Sequence, residues 1–273
     1  MTDPLFLLAL AASAGVVGSV AGFLAGLLGV GGGIVIVPML YIALGLLGVD
    51  ESVRMHTAVA TSLATLVPTA WNSMRSHRAK GAVDNAFLKS WGVWILAGAA
   101  IGILVGGGAK PGILTAVFGI VAMVVALHMA FVSGEARVAD GLPTGVGRVP
   151  MALGIGGFSA IMGIGGGTLA VPLLTLFNYP IRRAIGTSSA VGLIVGIPGA
   201  VGFILAGWGE PNRLPFSLGY VSLVGFVLLA PAQTLMAPLG ARLAHTIPQA
   251  IMRRVFAAFL AIVAARMLWS TFG

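Results

Sequence analysis

The run Gly29-Val-Gly-Gly-Gly-Ile-Val-Ile-Val-Pro38 returns 134 residues later as Gly163-Ile-Gly-Gly-Gly-Thr-Leu-Ala-Val-Pro172, with every glycine and the proline in register. A chain that carries such a motif twice reads as one structural unit written two times, and this constrains the architecture before any local propensity is considered. Further matches extend the repeat. Ala60-Thr61-Ser62 corresponds to Gly186-Thr187-Ser188, each followed by a proline, Pro68 and Pro198. Near the ends, Phe118, His128, Met129 and Phe131 align with Phe256, Arg266, Met267 and Trp269.

Each copy divides into five apolar segments whose first two meet at the glycines. They fall at roughly 5–28, 34–48, 54–74, 87–106 and 112–132, and then at 150–162, 168–178, 184–206, 216–237 and 250–271. Several approach the roughly 20 residues that a helix needs to cross a bilayer. Only 8% of the 273 residues are charged and 58% are hydrophobic, whereas about a quarter of a soluble domain is charged. The lipid is therefore the solvent, and the expected fold is an all-α integral membrane protein with about eight full transmembrane helices, or ten segments counting broken or re-entrant helices at the glycines.

Residues 1–132 form the first repeat, 133–149 a cytoplasmic linker carrying Glu135, Arg137, Asp140 and Arg148, and 150–273 the second repeat. An odd number of crossings per copy turns the second upside down. Lys and Arg accumulate in cytoplasmic loops. With the N-terminus outside, one side collects Arg75, Arg78, Lys80, Lys89, Arg137, Arg148, Arg182, Arg183, Arg242, Arg253 and Arg254, and the other holds Arg54, Lys110, Arg213 and Arg266. That eleven-to-four division predicts a multi-pass protein of a bacterial inner membrane with both termini periplasmic. The first residues include Asp3 and no Lys or Arg, unlike the basic start of a signal peptide, so 5–28 reads as the first membrane segment.

The net charge of +8 is dispersed over short loops, not gathered into the basic stripe of a nucleic-acid binder. With no cysteine in the chain, disulfides and thiolate metal sites are excluded. No zinc-binding His-Glu-x-x-His, nucleophile elbow or P-loop is present. The Gly-x-Gly starts lack the third glycine and the soluble βαβ setting of a dinucleotide site. The expectation is a protein that is not an enzyme and uses no cofactor or metal.

Three consecutive glycines cost about 1 kcal/mol each in a helix interior, so Gly31 to Gly33 and Gly165 to Gly167 should interrupt their helices, with Pro38 and Pro172 as further helix-breaking positions. A fresh helix start at Ile34 and at Thr168 presents unpaired N–H groups and the positive end of a helix dipole, which suits an anion. Transporters with inverted repeats place such broken helices near the midplane. Glycine also serves close helix packing in membranes, so a packing role stands beside this one.

Thr61 and Ser62 with Thr65, and Thr187, Ser188 and Ser189, lie in apolar surroundings, where hydroxyls can ligate an oxyanion or bond a neighbouring helix. Arg54, Arg182 and Arg183 precede the Thr-Ser helices at matching places and can either guide anions through a vestibule or set topology by reaching the interface. Asp3, Asp50, Glu51, Asp84, Glu135, Asp140 and Glu210 all fall in loops or at helix ends. A cation pump or proton-coupled carrier usually needs an intramembrane carboxylate, so its absence from the segments favours an anion as cargo. Asp84 is expected to cap the segment starting at Asn85. His56, His77, His128 and His245 are expected in loops or at the interface.

The duplicated Gly-(Val/Ile)-Gly-Gly-Gly-(x4)-Pro motif followed by Ala/Gly-Thr-Ser resembles the TauE/SafE family of sulfite exporters, over about Val20 to Trp269 and including the loop Arg78-Ala-Lys-Gly-Ala-Val-Asp84. The resemblance implies a secondary transporter that moves small sulfur-containing anions of the sulfite, sulfonate or thiosulfate class by alternating access, in the direction of export; the rival reading is an anion channel. Its implied substrate-lining residues are Gly31, Gly32, Gly33, Thr61 and Ser62 in one half and Gly165, Gly166, Gly167, Thr168, Thr187 and Ser188 in the other. Ile34 opposite Thr168 predicts a site unequal on its two sides. The expected partners are a small anionic substrate and the lipid bilayer, with no nucleic acid; a homo-oligomer is compatible with the sequence.

Overall fold

A computed structural model of the chain describes residues 4–28, 32–131, 139, 141–244 and 247–272. Among these the structure is helical: α1 (Pro4–Leu28), α2 (Gly33–Leu46), α3 (Glu51–Ala79), α4 (Asn85–Gly108), α5 (Pro111–Phe131), α6 (Arg148–Met162), α7 (Gly166–Leu176), α8 (Ile181–Ala206), α9 (Leu223–Ala244) and α10 (Gln249–Phe272). The ten segments expected from hydropathy are all present, so the chain is an all-α integral membrane protein. Among the described residues seven helices are long and apolar enough to span a bilayer. The 29-residue α3 is an eighth long helix, less apolar overall but buried without interruption from Met55 to Thr65. With 14 and 11 residues, α2 and α7 reach about 21 and 16 Å, well short of the ~30 Å hydrocarbon core.

Helices of the two halves pair reciprocally. The first helix of one half, α1, runs along α9, and α6 runs along α4; α3 packs on α8 and α5 on α10. Small residues make this possible, because in lipid the association of helices depends on close packing. A Cβ at Gly22 would lie 2.5 Å from the Cα of Gln233 on α9, and one at Gly156 would lie 1.9 Å from the Ile95 carbonyl oxygen on α4. Gly22 and Gly156 occupy the same place in the repeated sequence, so Gln233 and Ile95 are counterparts: one polar, one apolar.

Two details of the sequence reading change. The ninth segment does not begin at residue 216; a short antiparallel hairpin pairing Ser217–Leu218 with Val221–Ser222 precedes α9, which starts at Leu223. The hairpin turns at Gly219, whose φ of +53° and whose approach to the Ile204 carbonyl exclude a side chain. Pro38 and Pro172 do not end helices but lie inside α2 and α7. Each falls within two turns of its helix start, where only the carbonyls of Ile34 and Thr168 lose a donor, so the helix continues past the ring.

Candidate functional site

The second glycine run shows how the chain breaks. α6 ends at Met162, Gly163 adopts φ +67°, and the amides of Gly163 and Ile164 bond back to Ala160 and Ser159. That pair of bonds is a Schellman cap, which requires the left-handed conformation glycine reaches without penalty. α7 then begins at Gly166, with Gly165 as an N-cap that has no side chain to occupy the first amides. The glycines therefore span the break and the first turn, and the helices start one to two residues earlier than Ile34 and Thr168. Amides in a first turn have no intrahelical acceptor in any case, which makes glycine inexpensive there. Gly29 to Gly31, and with them the expected site residue Gly31, lie outside the described residues. The start of α2 meets the second break: a Cβ at Gly33 would lie 2.8 Å from the Gly163 carbonyl oxygen and 2.8 Å from the Ile164 Cα.

A cavity of about 590 Å³ opens beside this junction, walled by α1, α3, α7, α8 and α9. Of the expected residues it contains Gly32, Gly165, Gly166, Gly167 and Ser188. Two buried polar atoms on its wall have no hydrogen-bond partner, the Ser188 hydroxyl and the Gln233 side-chain nitrogen. Ser188 is 2% exposed and Gln233 6%. Buried polar groups are nearly always satisfied, so two orphans on residues that line one cavity beside a helix N-terminus make this wall the candidate site. The Gln233 amide stands against Gly32, its oxygen 3.1 Å from where a Cβ there would sit.

Gly33, Thr61, Ser62, Thr168 and Thr187 do not line the cavity. The hydroxyls of three of them join helices. Ser62 donates to the Gly163 carbonyl at 2.6 Å, Thr61 accepts from the Ser222 amide at 3.0 Å, and Thr187 accepts from the Asp84 amide at 2.9 Å. Thr61 of the first half thus holds the start of α9, and Thr187 of the second holds the start of α4. Replacing either threonine with valine leaves a backbone N–H without its acceptor, and we expect each change to lower stability by about 1–3 kcal/mol. Thermal unfolding in detergent measures it; unchanged melting of Thr61→Val, whose bond is fully buried, would refute this joining role.

Asp84 caps α4 as expected, accepting from the Ala86 and Phe87 amides at 2.9 and 3.0 Å. Its other oxygen accepts from the Tyr179 hydroxyl at 2.7 Å. Burial pushes the Asp84 carboxyl up, but the Tyr179 hydroxyl, the two amides and the nearby Arg183 outweigh it and hold the group below its ordinary range. Burial, reinforced by the carboxylate, pushes Tyr179 up to about 12. Arg182 and Arg183 begin α8, exposed, a few residues before the cavity residues Ile185 and Ser188. Arg54 is elsewhere: it precedes the first cavity residue of α3, Leu66, by about 18 Å of helix, and its guanidinium donates to the Val49 carbonyl at 2.8 Å over the Tyr41 ring.

Among the described residues every acid lies at a helix end or in a turn, as expected: Asp50 and Asp84 at caps, Glu51 in a first turn, Glu210 before the hairpin. Asp3, Glu135 and Asp140 lie outside the described residues. Two histidines differ from expectation. His56 is buried in α3 and stacked on Tyr220, and His77 lines the cavity near the end of α3. His128 is exposed on α5, and His245 lies outside the described residues. No cluster of three potential metal ligands occurs among the described residues.

Gln233 escaped the sequence reading, as did Asn72 and Ser73, whereas Ser189, expected beside Ser188, lines the cavity. The signal was present, since Gln233-Thr234 is a polar pair in the middle of an apolar segment, where polar side chains are costly and commonly functional.

The family profile described as sulfite exporter TauE/SafE matches residues 14–267. A probable membrane transporter protein of Haemophilus influenzae is 35% identical over 251 residues, covering 92% of this chain and 95% of its own length. One of Methanocaldococcus jannaschii is 25% identical over 254 residues, 93% of both chains, and one of Xylella fastidiosa is 28% identical over 264 residues, 92% of both. No solved structure matches the chain.

Proposed function

The chain belongs to the sulfite exporter TauE/SafE family, and from that premise we propose that it is a secondary transporter moving small sulfur-containing anions across the inner membrane by alternating access, in the direction of export. One observation carries the reading. The cavity joins a glycine-capped helix N-terminus to two buried donors that have no partner, Ser188 and Gln233. Helix N-termini favour negative charge, and no described acid lines the cavity to oppose it.

The repeat supports alternation. The cavity lies toward the end of the molecule where Arg75, Arg78, Lys80, Arg182 and Arg183 gather, the side read as cytoplasmic. Its lining residues Ser73, Ser76, His77 and Ser189 have the counterparts Gly199, Gly202, Phe203 and Leu63 when Thr61-Ser62 is aligned with Thr187-Ser188. These counterparts are packed shut. A Cβ at Gly199 would lie 2.9 Å from Leu63, one at Gly202 would lie 2.2 Å from Ile103, and Phe203 is fully buried beside His56 and Tyr220. One unit open and its repeat closed is what a carrier with inverted halves presents when it faces one side. In this reading residues 1–132 and 150–273 are the inverted repeats, 133–149 is the cytoplasmic linker, and both termini are periplasmic.

Proteoliposomes test the proposal. We expect saturable sulfite flux that is accelerated by substrate on the opposite side, because a carrier exchanges while a channel only conducts. Unsaturable flux with a conductance and no exchange would indicate a channel. The absence of flux for any sulfur anion would refute transport of this class.

A further inference from the structure

We propose that the cavity holds a field worth at most one positive charge, so that the protein takes its substrate as a singly charged anion, moving sulfite as hydrogen sulfite and turning away dianions. The inference rests on the anion-carrier reading above and adds the charge state of the cargo.

Two helix starts meet the cavity, α7 through Gly165 to Gly167 and α2 through Gly32. Each N-terminus acts as roughly half a positive charge, and the C-terminal end of α1, whose last turn reaches the wall through Ala25 and Gly26, offsets part of it, so the helix ends together balance at most about one negative charge. No described residue on the wall adds to this sum as a fixed charge: there is no lysine, arginine or carboxylate, and the titratable side chain is His77 at the end of α3. On the elements around the cavity the charged groups are Glu51 and Arg54 at the far start of α3, Arg75, Arg78 and Lys80 late in α3 or just past its end, Arg182 and Arg183 at the start of α8, and Arg242 at the end of α9, while α1, α2 and α7 carry none. These cations flank the solvent end and do not line the cavity.

The buried contacts that remain are neutral. Ser188 can give one hydroxyl proton, and the Gln233 amide presents donor and acceptor together. A sulfur oxyanion with one charge finds compensation here, whereas a second charge would be dehydrated without a partner, which is prohibitive in a confined site of low polarity. Hydrogen sulfite also brings a proton of its own, for which the Gln233 oxygen is an acceptor. A dianion has nothing to give that oxygen. On this account the proton crosses the membrane on the substrate, and the described helices need no intramembrane carboxylate to relay it.

The test compares initial rates of sulfite and methanesulfonate exchange in proteoliposomes with equal pH inside and outside, after subtraction of protein-free vesicles, across the pKa of hydrogen sulfite. Methanesulfonate keeps a single charge throughout. We expect its rate to stay flat, while the sulfite rate at fixed subsaturating total concentration falls about tenfold per pH unit above that pKa, as the monoanion fraction does. Sulfate in excess should leave either exchange unchanged. A sulfite rate that is flat or rises above the pKa, a parallel fall in both substrates, or competition by sulfate would overturn the proposal. Absence of exchange for both anions would instead remove the carrier reading itself.

Discussion

Gln233→Ile is expected to depress sulfite exchange by about 10- to 100-fold while leaving the protein as stable as before or more so. The size follows from losing a hydrogen bond to a charged group, about 1.5–3 kcal/mol. The opposite sign for stability follows from the unbound structure, in which the buried Gln233 nitrogen has no partner and contributes no native bond. Isoleucine fits the helix pairing, since Ile95 fills the corresponding place against Gly156 on α4. Ser188→Ala, which removes the second unpartnered donor, should weaken exchange in the same direction. Exchange rates and melting temperatures measured on the same preparations separate a binding residue from a structural one. If Gln233→Ile exchanges sulfite at the native rate, the amide is not a ligand and the site lies elsewhere.

Gly156→Val should be the most destructive single change at the interface of α4 and α6. A Cβ there would lie 1.9 Å from the Ile95 carbonyl oxygen and 2.7 Å from the Ala99 amide nitrogen. Backbone cannot rotate aside as a flexible side chain can, so the two helices must separate along their length. Overpacking ordinarily costs about 1–3 kcal/mol, and this contact belongs at or beyond the upper end. Gly154→Val on the same helix is the control, because nothing stands within 4 Å of its Cβ position. Valine has the same helix propensity at both sites, so a loss of folded protein confined to Gly156→Val isolates the close approach. Equal melting of the two variants would show that the helices do not pack as described.

Much of the site's frame was legible in the sequence, for different reasons at different residues. Helix breaks at the glycine runs followed from backbone cost, and Gly163 is the clearest case, because a left-handed cap leaves glycine as the residue that fits without strain. Asp84 was recognisable as a cap from its place before Asn85. The hydroxyls were harder. Ser62 and Ser188 occupy the same place in the repeated motif, yet one bonds the Gly163 carbonyl and the other, on the cavity wall, has no partner. Nothing local distinguishes them. Their difference comes from which helix stands opposite, and that is decided by the packing of the two halves.

By itself the sequence determined that the chain lives in a bilayer, that it is made of ten apolar helical segments, and that a helix breaks at the glycines from Gly163 to Gly165. Each of these depends on composition, period or backbone cost, which are properties of residues and their neighbours along the chain. The tertiary structure decided that Thr61, Ser62 and Thr187 fasten helices together, that Pro38 and Pro172 are accommodated within helices, and that Gln233 joins Ser188 on a cavity wall. The fastening bonds join residues more than a hundred positions apart, Ser62 with Gly163, Thr187 with Asp84 and Thr61 with Ser222, brought together because small side chains let the helices approach. A sequence motif can be repeated, but only packing settles which copy of each polar residue is satisfied and which is left without a partner.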